Sequence, residues 1–333
     1  MQDYKTNTHT AEAQPLVTFI VTCYNLPTQM LCECINSLLA LSLSPQEREI
    51  IIVDDGSDVS PMNSLMQFGD DIMYIRQKNG GVSVARNTAL SIAHGKYIQI
   101  VDGDDTLIQV PYEHCLDIIR YQQDTDLLMF DFSKSGNEPY KAFSDTAPTT
   151  GADYMRLYNI HGAAWSCLFR SSVRGNLQFT PGIRYGEDEE FMAQLLIRSE
   201  VVCATDAKAY YYRDRSTSAV RQQDSDSKRQ RLDDTMEVLL HLNSLADRLP
   251  PAERTAMQRR VAQLTMDYIY NTIVLTRSRQ ALDERIATLH QKGLFPLPDR
   301  KYTAKYQWFR RMTNSSIGLS MLLHTLPYLK RER

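Results

Sequence analysis

The sequence predicts an α/β protein: a Rossmann-like, mostly parallel, doubly wound sheet flanked by helices, with a helical region appended on its C-terminal side. Two observations carry this. Short β-branched runs alternate with segments of helical periodicity. The turn after each run is rich in Asp, Asn and Gly, as expected where the ligand crevice lies outside the carboxyl ends of the strands. The composition agrees: 43% hydrophobic and 23% charged over 333 residues is ordinary globular usage, which excludes a disordered or fibrous chain.

After a polar leader over residues 1–14, residues 17–22 (VTFIVT) suit a strand buried on both faces, and residues 27–41 place Met30, Leu31, Cys34, Ile35, Leu38 and Leu39 at helical spacing. The alternation continues with strands at 49–53, 72–76, 96–101 and 126–132. Between them lie helical stretches near 61–68, 83–93 and 111–122. A polar loop over 133–150, an apolar patch at 163–169, a helix over 187–198 and strands at 201–205 and 209–213 complete a unit spanning 15–215. Beyond it, 216–333 reads as helical, with periodic segments at 228–248, 252–278 and 280–292.

Charge and cysteine usage narrow the class. A formal net charge of -3 provides no basic field, so nucleic acid is not expected as a partner. Six scattered cysteines without zinc spacing read as free thiols in a reducing, cytoplasmic compartment. The leader lacks a signal-peptide core, and no segment reaches the roughly 18 apolar residues of a span, so neither export by that route nor a membrane span is expected.

Five motifs could carry chemistry. Asp102-Gly103-Asp104-Asp105 ends a strand, and carboxylates at i and i+2 point to the same side of an extended chain, where they can share a hard divalent ion and a ribose hydroxyl. Gly103 would let a ligand approach the backbone. Asp54-Asp55-Gly56-Ser57 ends another strand and offers acceptors for a base or ribose; both runs also suit ordinary turns. Asn79-Gly80-Gly81 before a helix exposes N–H groups, with Arg86 one turn in to meet a phosphate, although the glycines do not follow the dinucleotide fingerprint. Glu187-Asp188-Glu189-Glu190 opens a helix; the dipole accounts for some of these acids, and their crowding raises proton affinity, as a general base requires. Tyr210 to Ser218 joins an aromatic strand to a loop with two cations and three hydroxyls, suited to covering a diphosphate or to a plain polar loop.

In order, Pro15–Asn25 (PLVTFIVTCYN), Glu49–Ser57 (EIIIVDDGS), Asn79–Asn87 (NGGVSVARN), Gly95–Asp105 (GKYIQIVDGDD) and Gly186–Phe191 (GEDEEF) resemble glycosyltransferase family 2, the inverting nucleotide-sugar transferases of bacterial polysaccharide type with the GT-A fold. The resemblance covers 15–215. It implies that Tyr24, Asn25, Asp54, Asp55, Arg86 and Asp102 surround the nucleotide, and that Asp102 and Asp104 hold Mn2+ or Mg2+, with Asp104 the more direct ligand. It further implies that Asp188 is the catalytic base, while Trp165–Arg170 looks like the acceptor-side segment; the cations and hydroxyls of the loop after Tyr212 assign Arg213, Arg215 and Ser216 to a cover over the diphosphate. Two features depart from the family: Thr22-Cys23 stands where a proline-containing turn is usual, and Glu189 and Glu190 add acids beside the base. Without the Gln-x-x-Arg-Trp motif of processive synthases, the expected activity moves one sugar per encounter from a nucleoside-diphosphate sugar, UDP favoured, to a saccharide acceptor hydroxyl in cell-surface polysaccharide or glycoconjugate assembly. Two alternatives are a nucleotidyltransferase, which would want a Gly-rich, basic loop after the first strand, and an inactive nucleotide-sugar-binding module, against which the acids at 102, 104 and 188 speak.

Residues 301–333 set seven basic residues against one acid, Glu332, with Trp308, Phe309, Met312, Ile317 and a leucine series between them. That suits either a helix on an anionic membrane surface, at the inner face of the plasma membrane and convenient for a lipid-linked acceptor, or a helix docked on the protein's own core.

Overall fold

The computed structural model describes residues 14–135, 142–214 and 224–329. Among them run strands β1 (Val17–Cys23), β2 (Arg48–Asp54), β3 (Met73–Arg76), β4 (Tyr97–Asp102), β5 (Thr106–Leu107), β6 (Leu127–Ser133), β7 (Cys167–Arg170) and β8 (Val202–Tyr211). The helices are α1 (Thr28–Leu39), α2 (Met62–Leu65), α3 (Val82–Ile92), α4 (Gln109–Tyr121), α5 (Gly151–Leu157), α6 (Ser171–Arg174), α7 (Glu187–Arg198), α8 (Ser225–Ala246), α9 (Pro251–Thr276), α10 (Arg279–Gln291), α11 (Ala304–Thr313) and α12 (Ser316–Leu329).

The eight strands form one sheet in the order β3-β2-β1-β4-β7-β6-β8-β5. Its first half is the expected parallel unit, with β1 central and paired to both β2 and β4. Opposed registers of Cys23 with Asp54 and of Thr22 with Asp102 bring the Asp-rich turns of β2 and β4 to the same edge, on either side of β1. The second half is mixed: short β7 runs antiparallel to β4 and β6, and β5 antiparallel to β8. The apolar patch around Trp165 therefore becomes a 3-10 turn and a sheet strand whose direction its composition left open. The strands expected at 201–205 and 209–213 are one continuous β8, because its pairing with β6 runs through a register irregularity instead of ending there.

Alternation along β1 divides the interior. Val17, Phe19 and Val21 face α1 and α4 through Leu31, Ile35, Tyr112 and Leu116, while Ile20 faces α3 and α7 through Ala85, Ala89, Phe191 and Leu195. The second of these clusters does not stop at the sheet. It continues through Leu239 of α8 and Met257 and Ile269 of α9 to Leu322 of α12, so the C-terminal helices share a core with the α/β unit. Of the basic C-terminal stretch, the described part holds two helices, α11 and α12, and Lys330, Arg331 and Arg333 lie outside the described residues.

A shared core predicts shared unfolding. With Trp308→Phe leaving Trp165 as the fluorescent reporter in the α/β unit, urea midpoints from fluorescence and from far-UV circular dichroism should coincide, and Leu239→Ala should lower stability by about 2–5 kcal/mol by both signals. Separated midpoints would mean two independent cores.

Candidate active site

The loops after β1, β2 and β3 are locked together by their own polar groups. Asn25, at a left-handed φ of 47°, donates its N–H to Ser57 Oγ (2.9 Å) and its side-chain amide to Asp58 (3.1 Å). Asp54 is fully buried; it accepts the Ser57 N–H (2.9 Å) and the Tyr74 hydroxyl (2.9 Å) and pairs with Arg76 (3.3 Å). Asp55 accepts N–H bonds from Gly80 (2.9 Å) and Gly81 (2.8 Å), and the side-chain amide of Gln77 (2.7 Å). The exposed N–H groups expected of the glycine pair are thus taken by the Asp55 carboxylate, just ahead of α3. Tyr24, by contrast, leaves its ring 53% exposed at the mouth of these loops.

At the end of β4, Gly103 is explained by packing. A Cβ there would lie 2.9 Å from the Thr22 carbonyl oxygen and 3.2 Å from Leu26 and Leu31 side chains, so the residue is small toward β1 and α1, not for a ligand's approach. Asp102 stays partly exposed, and so does Asp104. Asp105 is buried; it accepts the Tyr210 hydroxyl (2.9 Å) and the Arg213 N–H (2.7 Å), and burial, then the charge of Asp102, pushes its carboxyl up to about 8.

Arg86 joins these parts. It is 2% exposed on α3, with one amino group on Asp102 (3.0 Å) and the other on Asp188 (2.5 Å) and Glu187 (3.3 Å) of α7. Phe179 lies under the guanidinium, 5.1 Å away. Burial works against this charge, but Asp188, Asp102 and Glu187 outweigh it and hold the proton more tightly than usual. The acids respond in kind: burial, then Asp188, pushes Glu187 up to about 8, and burial lifts Asp188 despite Arg86. Asp188 also accepts the Ala164 N–H (3.2 Å).

The structure therefore brings together Asp102, Arg86 and Asp188, and sets Tyr24 and Asn25 on the neighbouring loop. Arg213 reaches away to Glu33 on α1 (2.7 Å), while Arg215 and Ser216 lie outside the described residues. Trp165 is buried, stacked on Tyr210 at 4.4 Å. Sequence reasoning passed over Glu187 as a direct partner of Arg86 and Tyr210 as the link between Asp102 and Asp105. The acidic run signalled the first; nothing local singles Tyr210 out from its two tyrosine neighbours.

The donor set suits a hard cation. Among the described residues there is no group of three or more His, Cys, Asp or Glu side chains arranged to hold a metal. Two carboxylates at i and i+2, Asp102 and Asp104, are nevertheless what Mg2+ or Mn2+ uses when phosphate oxygens complete its shell.

Residues 18–171 match the family model described as Glycosyl transferase family 2. Among curated proteins, the chain is 31% identical over 219 residues to the uncharacterized glycosyltransferase EpsJ of Bacillus subtilis, covering 61% of this chain and 62% of that one. It is 24% identical over 204 residues to a poly(ribitol-phosphate) beta-glucosyltransferase of Bacillus spizizenii, covering 59% of this chain and 32% of that one. The chain thus spans less than two thirds of these relatives. The fold is shared with residues 1–349 of S. aureus TarS, solved with UDP-GlcNAc: TM-score 0.69, 15% identity, 95% of this chain and 91% of that one. A mannosyltransferase from Pyrobaculum calidifontis, solved with GDP-Man and Mn2+, is similar at TM-score 0.55 and 12% identity, covering 96% and 88%.

The raised carboxyl of Glu187 gives a pH dependence of stability. It stays protonated in the fold at pH values where the unfolded chain has ionised it, so its contribution falls as pH rises from about 4.5 to about 8. Glu187→Gln removes that titration: relative to the parent, its Tm in EDTA should improve between pH 5 and pH 8.5. An unchanged difference across that range would contradict the assignment.

Proposed function

We propose, on the match of residues 18–171 to the glycosyltransferase family 2 model, that the chain is an inverting, metal-dependent transferase moving one hexosyl or N-acetylhexosaminyl group from a UDP-sugar to a saccharide hydroxyl in cell-surface polysaccharide assembly. We assign donor chemistry to 15–215 and treat 216–333 as its helical support. The observation that carries the reading is the buried guanidinium of Arg86 held between Asp102, at the donor side, and Asp188.

Asp188 would take the proton of the acceptor hydroxyl as that oxygen forms its bond to the anomeric carbon. The bond from that carbon to the diphosphate breaks with its electron pair on phosphate. A carboxylate whose proton affinity is raised by burial suits this task. Asp102 and Asp104 would hold Mn2+ or Mg2+, which when bound supplies positive charge to the departing diphosphate. Tyr24 offers an exposed ring for the base, with Asn25 beside it, and Asp54 and Asp55 shape the loops that carry them. Arg213, followed in the sequence by Arg215 and Ser216, is assigned to the diphosphate side. One displacement inverts the anomeric centre.

The C-terminal helices support work at a membrane. Among the described residues no helix is long and apolar enough to cross one. Leu319 and Leu322 of α12 dock on the core, whereas Ile317, Met321 and Tyr328 line its opposite face and remain exposed, as does Trp308 of α11. Exposed Lys305 and Arg311 accompany that tryptophan. We therefore assign the protein to the cytoplasmic face of an anionic membrane, where a lipid-linked saccharide would be its acceptor.

Asp188→Asn should lower turnover of a UDP-sugar by about 10²-fold or more while Mn2+-dependent UDP binding persists in calorimetry. Asp104→Ala should lose the Mn2+-dependent part of that binding, and full activity in both variants would sink the reading. For the membrane, the full chain should float with anionic liposomes at low salt and release at high salt, each basic residue near the surface contributing on the order of 1 kcal/mol. Equal flotation after Trp308→Ser, Ile317→Ser and Met321→Ser would show that this face is not the contact.

A further inference from the structure

The acidic run at the start of α7 is gripped from a second direction. Arg260, 3% exposed in the middle of α9, donates to Glu189, the neighbour of Asp188. The Glu189 carboxylate lies so close to Gly162 that a Cβ there would overlap it. Two residues on, the Ala164 N–H donates to Asp188 (3.2 Å). The segment from α5 to the 3-10 turn at Ala164 therefore carries one residue against Glu189 and another against Asp188.

That same segment is held along its length by α9. Arg259 donates to the carbonyls of Met155 (2.6 Å) and Tyr158 (3.2 Å), and Gln263 to the side chain of Asn159 (2.8 Å). Arg259 also reaches the Lys301 carbonyl (2.9 Å), ahead of α11. All three residues of α9 are buried and lie well beyond residue 171, where the family match ends.

We propose that Arg260 is a positioning residue for Asp188. Its charge neutralises Glu189, so that Glu189 stays packed on Gly162 and the following turn keeps its N–H on Asp188. Without that cation, a half-buried carboxylate would stand beside Asp188 with no countercharge, and both relief of its desolvation and repulsion from Asp188 would drive it off Gly162. The C-terminal helices would then act on the chemistry through the 158–164 segment. This rests on the reading of Asp188 as base, and the test separates the two.

The experiment compares the full chain carrying Arg260→Met, Arg260→Lys, Glu189→Gln, and the Arg260→Met/Glu189→Gln pair. Amide exchange over 162–164, which needs no turnover, should accelerate at least tenfold in Arg260→Met, recover in part in Arg260→Lys, and return toward the parent in the pair. UDP release from UDP-GlcNAc or UDP-glucose should show kcat reduced tenfold or more in Arg260→Met, KM for the donor nearly unchanged, and a smaller kcat loss when Glu189 is already Gln. Parental exchange in Arg260→Met, or an equal loss with and without Glu189, would overturn the proposal. A parent that releases no UDP from any UDP-sugar counts against the transferase reading, and the exchange comparison then decides this inference by itself. Should Arg260→Met not fold, Arg260→Lys with exchange over 162–164 unchanged and kcat intact would overturn it.

Discussion

One buried cation organises this protein. A guanidinium removed from water is tolerated only when its charge is met by well-placed partners, and Arg86 finds three, from two elements distant in the chain. Asp102 comes from the central parallel strands and Glu187 and Asp188 from α7, so the pairing ties the parallel half of the sheet to the helix that carries the candidate base. The penalty for leaving any one of these charges alone makes the arrangement mutually dependent.

The same cluster explains the electrostatics around it. Three carboxylates share one cation, and the protein answers by lifting Glu187 toward neutrality and raising Asp188. Asp105, behind the strand end, is lifted too, and there the Tyr210 hydroxyl and the Arg213 N–H take up its oxygens. Asp102, paired with Arg86, and Asp104 stay partly exposed at this edge, hard oxygen donors of the kind a divalent ion and a diphosphate would complete.

Around this centre, most polar side chains of the crevice loops serve the loops. Ser57 accepts the Asn25 N–H, Asp54 the Ser57 N–H, and Asp55 those of Gly80 and Gly81, which gives the exposed ring of Tyr24 a rigid base to stand on. The helices beyond the family match play an analogous part on the other side of the site. They share the main core, and α9 reaches back with Arg259, Arg260 and Gln263 to the segment that meets α7.

The sequence by itself determined the parallel half of the sheet and the location of the crevice, because β-branched runs and helical spacing are local signals and strand ends follow from them. Asp102, Asp104 and Asp188 stood out as candidates on local grounds too: carboxylates at i and i+2 end a strand, and four consecutive acids at 187–190 exceed what a helix start needs. Only the tertiary structure decided how those acids are used. The direction of β7, the continuity of β8, the capture of the Gly80 and Gly81 N–H groups by Asp55, and the grip of Arg260 on Glu189 all depend on contacts between residues far apart in the chain. Arg86, which one turn into a helix reads as a phosphate ligand, is in the fold buried among three carboxylates, a setting its local sequence does not announce. Local pattern specifies which groups are charged; which of them must find partners is set by burial, and burial is a property of the packed molecule.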